Sequence, residues 1–172
     1  MEAKLLTDKS RLQDIYRLRV KAYEASPYAE YVNGEKYPNG YFDELDPLAT
    51  TYHWIVEDGT EIIGSVRAAV IEDRSLLPED ISQLDVPPTG TFAYCGRTAV
   101  HPDYRTGRVM LQLDHAVKDF ILQTPSVAFA LCFIIPERTN AVKRLGFHPV
   151  GSVEYDWGNG AADQLEAFAL IK

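Results

Sequence analysis

One passage constrains this chain more than any other: the run YCGRTAVHPDYRTGRVMLQLDHAVKDF from Tyr94 to Phe120. Phe92 to Val100 is apolar and aromatic enough for a central strand, and His101-Pro102 must end it, because proline cannot donate to a strand ladder. From Val109 on, Met110, Leu113, Val117 and Phe120 recur at helical spacing, with Gln112, Asp114, Lys118 and Asp119 between them. The turn between, Asp103 to Arg108, is short and basic and contains one glycine, Gly107. A helix N-terminus after such a turn presents unpaired N–H groups and the positive end of a dipole, which suits a phosphate, and Arg105 and Arg108 add charge. The same strand, turn and helix also occur as plain structure in α/β proteins, so both readings stand at this point.

The rest of the chain arranges itself around that junction. Ala3 to Leu6 is a short strand. Ser10 with Gln13 predicts a capping box, and Leu12, Ile15, Tyr16, Arg19 and Tyr23 trace one helical stripe up to Ser26-Pro27. Arg19 is the only charge on that stripe, so it either snorkels or points into a site. Pro27 to Asp46 holds Tyr28, Tyr31, Tyr37, Tyr41 and Phe42 without periodicity, as a lid or wall over a substrate or as cover for the core edge. Tyr52 to Val56 and Ile62 to Ile71 read as a hairpin about Asp58-Gly59, with Arg67 in an otherwise apolar strand. Asp73 to Gly90 is a polar loop with one helical turn expected around Glu79 to Leu84. Val127 to Ile135 is an apolar run suited to a strand buried on both faces. Thr139 or Asn140 caps a short helix ending at Gly146-Phe147, and Val150 to Trp157 and Gln164 to Ile171 form a closing hairpin about Gly158-Asn159-Gly160.

With 172 residues, 46% of them hydrophobic, the chain reads as one domain, residues 1–172. Acidic residues outnumber basic ones 25 to 17, and a formal charge of -8 disfavours nucleic acid or an anionic membrane surface as partner. No apolar run has membrane-spanning length, and MEAKLLTDKS lacks the apolar region of a signal peptide, so a cytoplasmic protein is expected. Cys95 and Cys132 are read as reduced, buried thiols. No His, Cys and carboxylate set has metal-ligand spacing, and His53, His115 and His148 are read as surface or packing residues. His101, at the end of the key strand, keeps a possible ligand contact.

The Tyr94–Phe120 passage resembles the acyl-donor-binding motif of the GCN5-related N-acyltransferase superfamily, a strand ending in Val-x-Pro-x-Tyr-Arg, a glycine-rich turn and a helix. Val100, Pro102, Tyr104, Arg105 and Leu113 match in register, while Thr106, Arg108 and Met110 stand where the family has glycines. Arg144-Leu145-Gly146-Phe147 resembles its closing Lys-Leu-Gly-Phe. The resemblance implies a single-domain α/β (α+β) fold with a mixed, splayed six- or seven-stranded sheet flanked by helices, opening between the fourth and fifth strands. It implies an acyl-donor site at Thr98, Ala99, Val100, Arg105, Thr106, Gly107, Arg108, Val109, Met110 and Asn140.

A further likeness is to the acyl-homoserine-lactone synthases and N-acyl amino acid synthases within that superfamily. Arg19 and Tyr23, four apart, Asp43-Glu44-Leu45-Asp46, Gly64 to Arg67, and Arg97 match that branch in order, while Tyr94 replaces its glutamate. It implies catalytic roles for Tyr94, Arg97, Asp43 and Asp46, and substrate-binding roles for Arg19, Tyr23, Arg67 and Phe133. Arginines buried among apolar side chains need carboxylates, and Asp43 and Asp46 are the nearest candidates; a structural ion-pair network is the competing reading.

Together these imply an N-acyltransferase that moves an acyl group from acyl-CoA or acyl carrier protein to the amine of an amino acid, a derivative or a peptide. Attack on the thioester requires a neutral amine. Tyr94 is a poor base near neutral pH, leaving Asp43, Asp46 or Glu72 through water. Val142 occupies the position of the superfamily's usual thiolate-protonating tyrosine. Phe129, Phe133 and Trp157 flank the expected gap, as an acyl-chain lining or as ordinary core. Arg105, Arg108, Arg138, Lys143 and Arg144 read either as a basic face for an acidic carrier protein, the slightly favoured donor, or as solvated surface. The alternatives are an acetyl-CoA-dependent N-acetyltransferase and a catalytically inactive binding module, and the chain is expected as a monomer or homodimer.

Overall fold

The computed structural model describes residues 1–158 and 160–172. The elements run β1 (Lys4–Leu5), α1 (Leu12–Glu24), β2 (Thr51–Asp58), β3 (Glu61–Ile71), β4 (Phe92–Val100), α2 (Arg108–Gln123), β5 (Phe129–Ile134), α3 (Thr139–Arg144), β6 (His148–Asp156) and β7 (Ala162–Ile171). Their hydrogen-bonded order is β1-β2-β3-β4-β5-β7-β6, a seven-stranded sheet, mixed and open, flanked by helices. The element order is the one expected. The turn expected at Gly158-Asn159-Gly160 includes Asn159, which lies outside the described residues. No helix among the described residues is long and apolar enough to cross a membrane.

Two compact units share the chain: Met1–Arg67 with Arg97–Val117, and Ala68–Gly96 with Lys118–Lys172. In the first, the apolar stripe of α1 buries Leu12, Ile15, Tyr16, Leu18 and Ala22 against Leu6, Ile55, Ile62 and Ala99. Each fully buried large side chain of this kind contributes about 1.5–3 kcal/mol, which fixes the face α1 presents. The start of α1 differs from the expected capping box. Asp8 accepts a hydrogen bond from the Ser10 amide at 3.0 Å and one from the Ser10 hydroxyl, capping a 3-10 turn at Lys9–Arg11 that leads into the helix. Serine at position 10 is therefore a donor to the cap.

The segment after α1 is anchored at Gly40 and Tyr41. Gly40 has φ 98°, and a Cβ there would stand 2.5 Å from Tyr16 Cβ. The next amide, Tyr41, donates to the Tyr16 carbonyl at 3.0 Å. Positive φ and a close approach to helix backbone both require glycine. Gly40→Ala is expected to cost about 2 kcal/mol or more, read as a lowered urea midpoint at unchanged m.

In the second unit β5 pairs antiparallel with β7 from Phe129↔Ile171 to Ile134↔Glu166. Its parallel register with β4 covers only Phe92↔Phe129, Ala93↔Ala130 and Tyr94↔Leu131. Beyond Leu131, β5 keeps its β7 partner while its register with β4 has ended, which is the parting expected between the fourth and fifth strands. Phe92 and Phe129 stack at 5.0 Å and 7°, and Arg74 lies 5.6 Å and 5.8 Å from their ring centroids. That arginine also donates to the Pro87 carbonyl, tying the 73–90 loop over the rings. The helical turn expected around Glu79 to Leu84 lies instead at Arg74–Leu76, because Asp73 accepts from the Ser75 amide and caps it. Neither Thr139 nor Asn140 caps α3; Arg138 holds the N-cap position after a 3-10 turn begun by Pro136. Cys95 and Cys132 are buried and not joined in a disulfide.

Candidate active site

The three arginines singled out from the sequence converge on the two aspartates within the first unit. Arg19, from the core stripe of α1, forms a fork on Asp46, Nη1 to Oδ2 at 2.8 Å and Nη2 to Oδ1 at 2.9 Å, with both side chains 0% exposed. Arg19 Nη1 also donates to the Tyr41 carbonyl at 3.1 Å. Arg67, from β3 and 1% exposed, bridges both carboxylates, with Nη1 2.6 Å from Asp43 Oδ1 and 3.1 Å from Asp46 Oδ1. Arg97, from β4, places Nη2 3.0 Å from Asp43 Oδ2. The snorkelling alternative for Arg19 is thereby excluded.

The Asp43–Asp46 segment is shaped to receive these cations. Asp46 Oδ2 accepts the Asp43 amide at 2.9 Å, and Asp43 Oδ1 accepts the Leu45 amide at 3.0 Å. Burial by itself would raise the Asp46 pKa, but Arg19 beside it, with Arg67 and the Asp43 amide, holds it well below the usual carboxylate range. Asp43 is likewise lowered, since Arg67 and Arg97 outweigh its burial. Burial disfavours the charged form of Arg67, but Asp46 and Asp43 raise its pKa overall. Both carboxylates are therefore anionic near neutral pH, and neither is a ready proton acceptor. Asp43, 30% exposed, is the end of the network that water reaches.

His53 on β2 is buried, with Nε2 3.1 Å from the Asp46 carbonyl, so Nε2 carries the proton that is donated. Burial lowers its pKa to about 4, ahead of the raising effect of the Asp46 carbonyl. Its 3.9 Å approach to the Asp46 carboxylate is accordingly no ion pair near neutral pH. Of the histidines read as surface or packing, it is a packing one, while His115 and His148 are exposed.

Two features at Arg97 were not legible beforehand. Its φ is 56°, the one positive value outside glycine among the described residues. Its guanidinium carbon lies 4.1 Å from the centroid of the Tyr41 ring, a residue absent from the expected set. Tyr23, which was in that set, meets the same ring edge-on at 5.8 Å.

Where β4 leads into α2, the motif's side chains are engaged within the protein. Tyr104 donates to Asp58 at 2.6 Å, and Arg105 donates to the Ala25 carbonyl at 2.7 Å and to the Ala22 carbonyl at the end of α1. Thr106 donates its amide to the Tyr104 carbonyl at 2.8 Å, and Gly107 has φ 85°. Arg108 is exposed at the first position of α2. Val109 is buried, and a Cβ at Gly64 would stand 2.5 Å from its Cγ1, so glycine on β3 admits the first turn of α2. Ala99 and Val100 are buried, Thr98 and Met110 half-buried. Asn140 is exposed on α3, and Val142, in the place of the usual tyrosine, is buried. Glu72 is exposed.

In the second unit, Tyr94 lies 5.3 Å from Phe133, Phe133 6.4 Å from Tyr155, and Tyr155 5.1 Å from Trp157, an unbroken aromatic row along β4, β5 and β6 toward the turn. Phe133 is its half-buried member.

A mixed, open seven-stranded sheet flanked by helices is the architecture of the GCN5-related acyltransferases. Solved structures agree in fold. The N-acyl amino acid synthase FeeM from uncultured soil microbes superposes with a TM-score of 0.71 at 16% identity, over 98% of this chain and 89% of that one. The CoA-dependent acyl-homoserine lactone synthase BjaI, solved with SAM and isopentyl-CoA, gives 0.72 at 19%, over 99% and 83%. Arabidopsis thaliana NAA60 in complex with acetyl-CoA gives 0.58 at 20%, over 98% of each chain. Among curated sequences, the carbamoyl phosphate synthase small chain of Lactococcus lactis subsp. lactis is 27% identical over 111 residues, 63% of this chain. The chain spans 31% of the length of that relative. The family model of the N-acyl amino acid synthase FeeM matches residues 14–162, and the chain belongs to that family of acyltransferases.

Proposed function

We propose that this protein transfers an acyl group from a thioester to the α-amine of a free amino acid. The observation that carries this reading is the ionic cluster: buried Arg19 and Arg67 lock Asp46 and Asp43, and Asp43 holds the 11%-exposed guanidinium of Arg97 at the accessible end. A guanidinium so held suits the carboxylate of an amino acid acceptor and leaves its amine to react. The donor's phosphates suit the amides at the start of α2 and Arg108.

In the reaction the neutral amine attacks the thioester carbonyl, the C–N bond forms as the C–S bond breaks, and the amine's proton ends on the released thiol. A thiolate is a competent leaving group, its conjugate acid having a pKa near 8.5, so buried Val142 need not be an acid for the step to proceed. Amides near Thr98 to Val100 suit the carbonyl oxygen as it gains charge. The carboxylates act as fixed counter-charges, and water relays the amine's proton to the departing thiolate.

The donor is CoA-bound or carrier-bound. Arg105, one of the five residues of the basic face, is bonded to α1 carbonyls, which weakens the carrier-protein reading and favours CoA. Thiol release should be followed with acetyl-CoA, decanoyl-CoA and decanoyl carrier protein against amino acids and their amides. Turnover is expected with decanoyl-CoA and an amino acid, falling about 100-fold in kcat/KM in Arg97→Ala. Equal turnover of amino acids and amides removes the carboxylate contact, and no thiol release from any donor assigns the fold to a binding module.

A further inference from the structure

Tyr41 lies in the loop that supplies Asp43 and Asp46, and it meets the ion cluster through its carbonyl, at Arg19, and through its ring, at Arg97. The ring is 2% exposed and held on two sides, by Tyr37 at 4.8 Å and 64° and by Tyr23 at 5.8 Å and 85°. Its backbone is pinned to α1 at both ends: the amide donates to the Tyr16 carbonyl at 3.0 Å, and the carbonyl accepts Arg19 Nη1 at 3.1 Å. Gly40 before it approaches α1 so closely that a Cβ there would stand 2.5 Å from Tyr16 Cβ.

The Arg97 guanidinium sits 4.1 Å from this ring, well within the range of a cation–π contact. The same guanidinium's bond to Asp43 is made to a carboxylate 30% exposed, so water screens it. An ion pair to a partly solvated carboxylate sets charge more than direction, whereas a planar guanidinium held over a ring face is confined by that face. Arg97 also holds φ 56°, a conformation a non-glycine residue keeps only when its surroundings over-determine it. The ring and Asp43 are among those surroundings.

We infer that Tyr41 is the positioning residue of the acyl-transfer site: its ring face sets the plane of the Arg97 guanidinium that receives the acceptor. This rests on the transferase reading for its catalytic consequence, but the contact itself is independent of it. The phenol oxygen is not what acts, so phenylalanine should serve as well as tyrosine, and an aliphatic residue of similar bulk should not.

The test is a double-mutant cycle of Tyr41→Leu with Arg97→Ala, with Tyr41→Phe as the conservative variant. Tyr41→Phe is expected to keep kcat/KM for the amino acid within about twofold, and Tyr41→Leu to lose about tenfold, mostly as a raised KM. In the Arg97→Ala background the same Tyr41→Leu change is expected to cost nothing further, because Tyr41 acts through Arg97. Additive losses, or equal losses for the phenylalanine and leucine variants, overturn the inference.

A second readout needs no substrate. The guanidinium resonances of Arg97, assigned by their disappearance in Arg97→Lys, should be shifted upfield by the ring current in the native protein and in Tyr41→Phe. They should return to ordinary positions in Tyr41→Leu. Unshifted resonances in the native protein overturn the positioning role whatever the kinetics show. Shifted resonances in a protein that turns over no thioester sink the transferase reading and leave the Tyr41–Arg97 contact established.

Discussion

Asparagine at position 46 is expected to unfold the protein well below the native melting temperature. Asp46 is fully buried and takes both Nη groups of Arg19 and one of Arg67, so the substitution leaves two buried guanidinium groups facing a neutral amide. Breaking a buried pair from one side costs about 3–5 kcal/mol, because the surviving charge is stranded out of water. For a chain of this length that is roughly 6–20 °C in Tm, and circular dichroism melts check it. Asp43→Asn should cost much less, since Asp43 is part-exposed and water can reach the group it abandons. Equal losses for the two aspartates would show that the cluster is not graded by burial. The paired substitution of Arg19 and Asp46 by leucine and asparagine should recover part of the loss, because desolvation of both charges is removed with their attraction.

His53 should make stability fall as the solution is acidified from about pH 6.5 toward pH 4. Its folded pKa, lowered to about 4 by burial, lies below the ordinary value of 6.5. Between those values the unfolded chain binds the proton and the folded one does not, so stability rises with pH across this window. The neutral ring's contribution is complete above the unfolded pKa and is lost as pH falls toward the folded one. At 1.36 kcal/mol per unit the whole window is worth about 3 kcal/mol. The lowered pKa values of Asp43 and Asp46 act further down: their contributions are present above the ordinary carboxylate range and are lost as pH drops through it, so they do not account for a slope above pH 5. His53→Gln, which keeps a donor for the Asp46 carbonyl, should flatten urea-derived stability between pH 4.5 and pH 6.5. An unchanged slope in that variant would assign it to another group.

Much of the candidate site could be read from residue types. Arg19 on an apolar helical stripe and Arg67 in an apolar strand stand out because burial forbids an unpaired guanidinium, and Asp43 and Asp46 were the carboxylates within reach. What residue types could not show is the division of labour. Arg19 pairs with Asp46 across 27 residues and Arg97 with Asp43 across 54, and nothing local distinguishes those pairings from their exchange. Tyr41 was one of several aromatic residues in an aperiodic loop, and only the backbone bonds to Tyr16 and Arg19 select it. Arg105 carried a motif match toward phosphate, yet its guanidinium lies on the last carbonyls of α1, because a helix C-terminus offers acceptors that sequence proximity does not reveal.

By itself the sequence determined the order of elements and the bounds of β4, since proline, glycine and the period of apolar residues act on their immediate neighbours. It also determined that the arginines would need partners, since that requirement belongs to the side chain. The tertiary structure decided which carboxylate each arginine meets, where β4 and β5 part, and the left-handed backbone at Arg97. Those outcomes depend on groups brought together from distant parts of the chain, where closure and burial outweigh local preference.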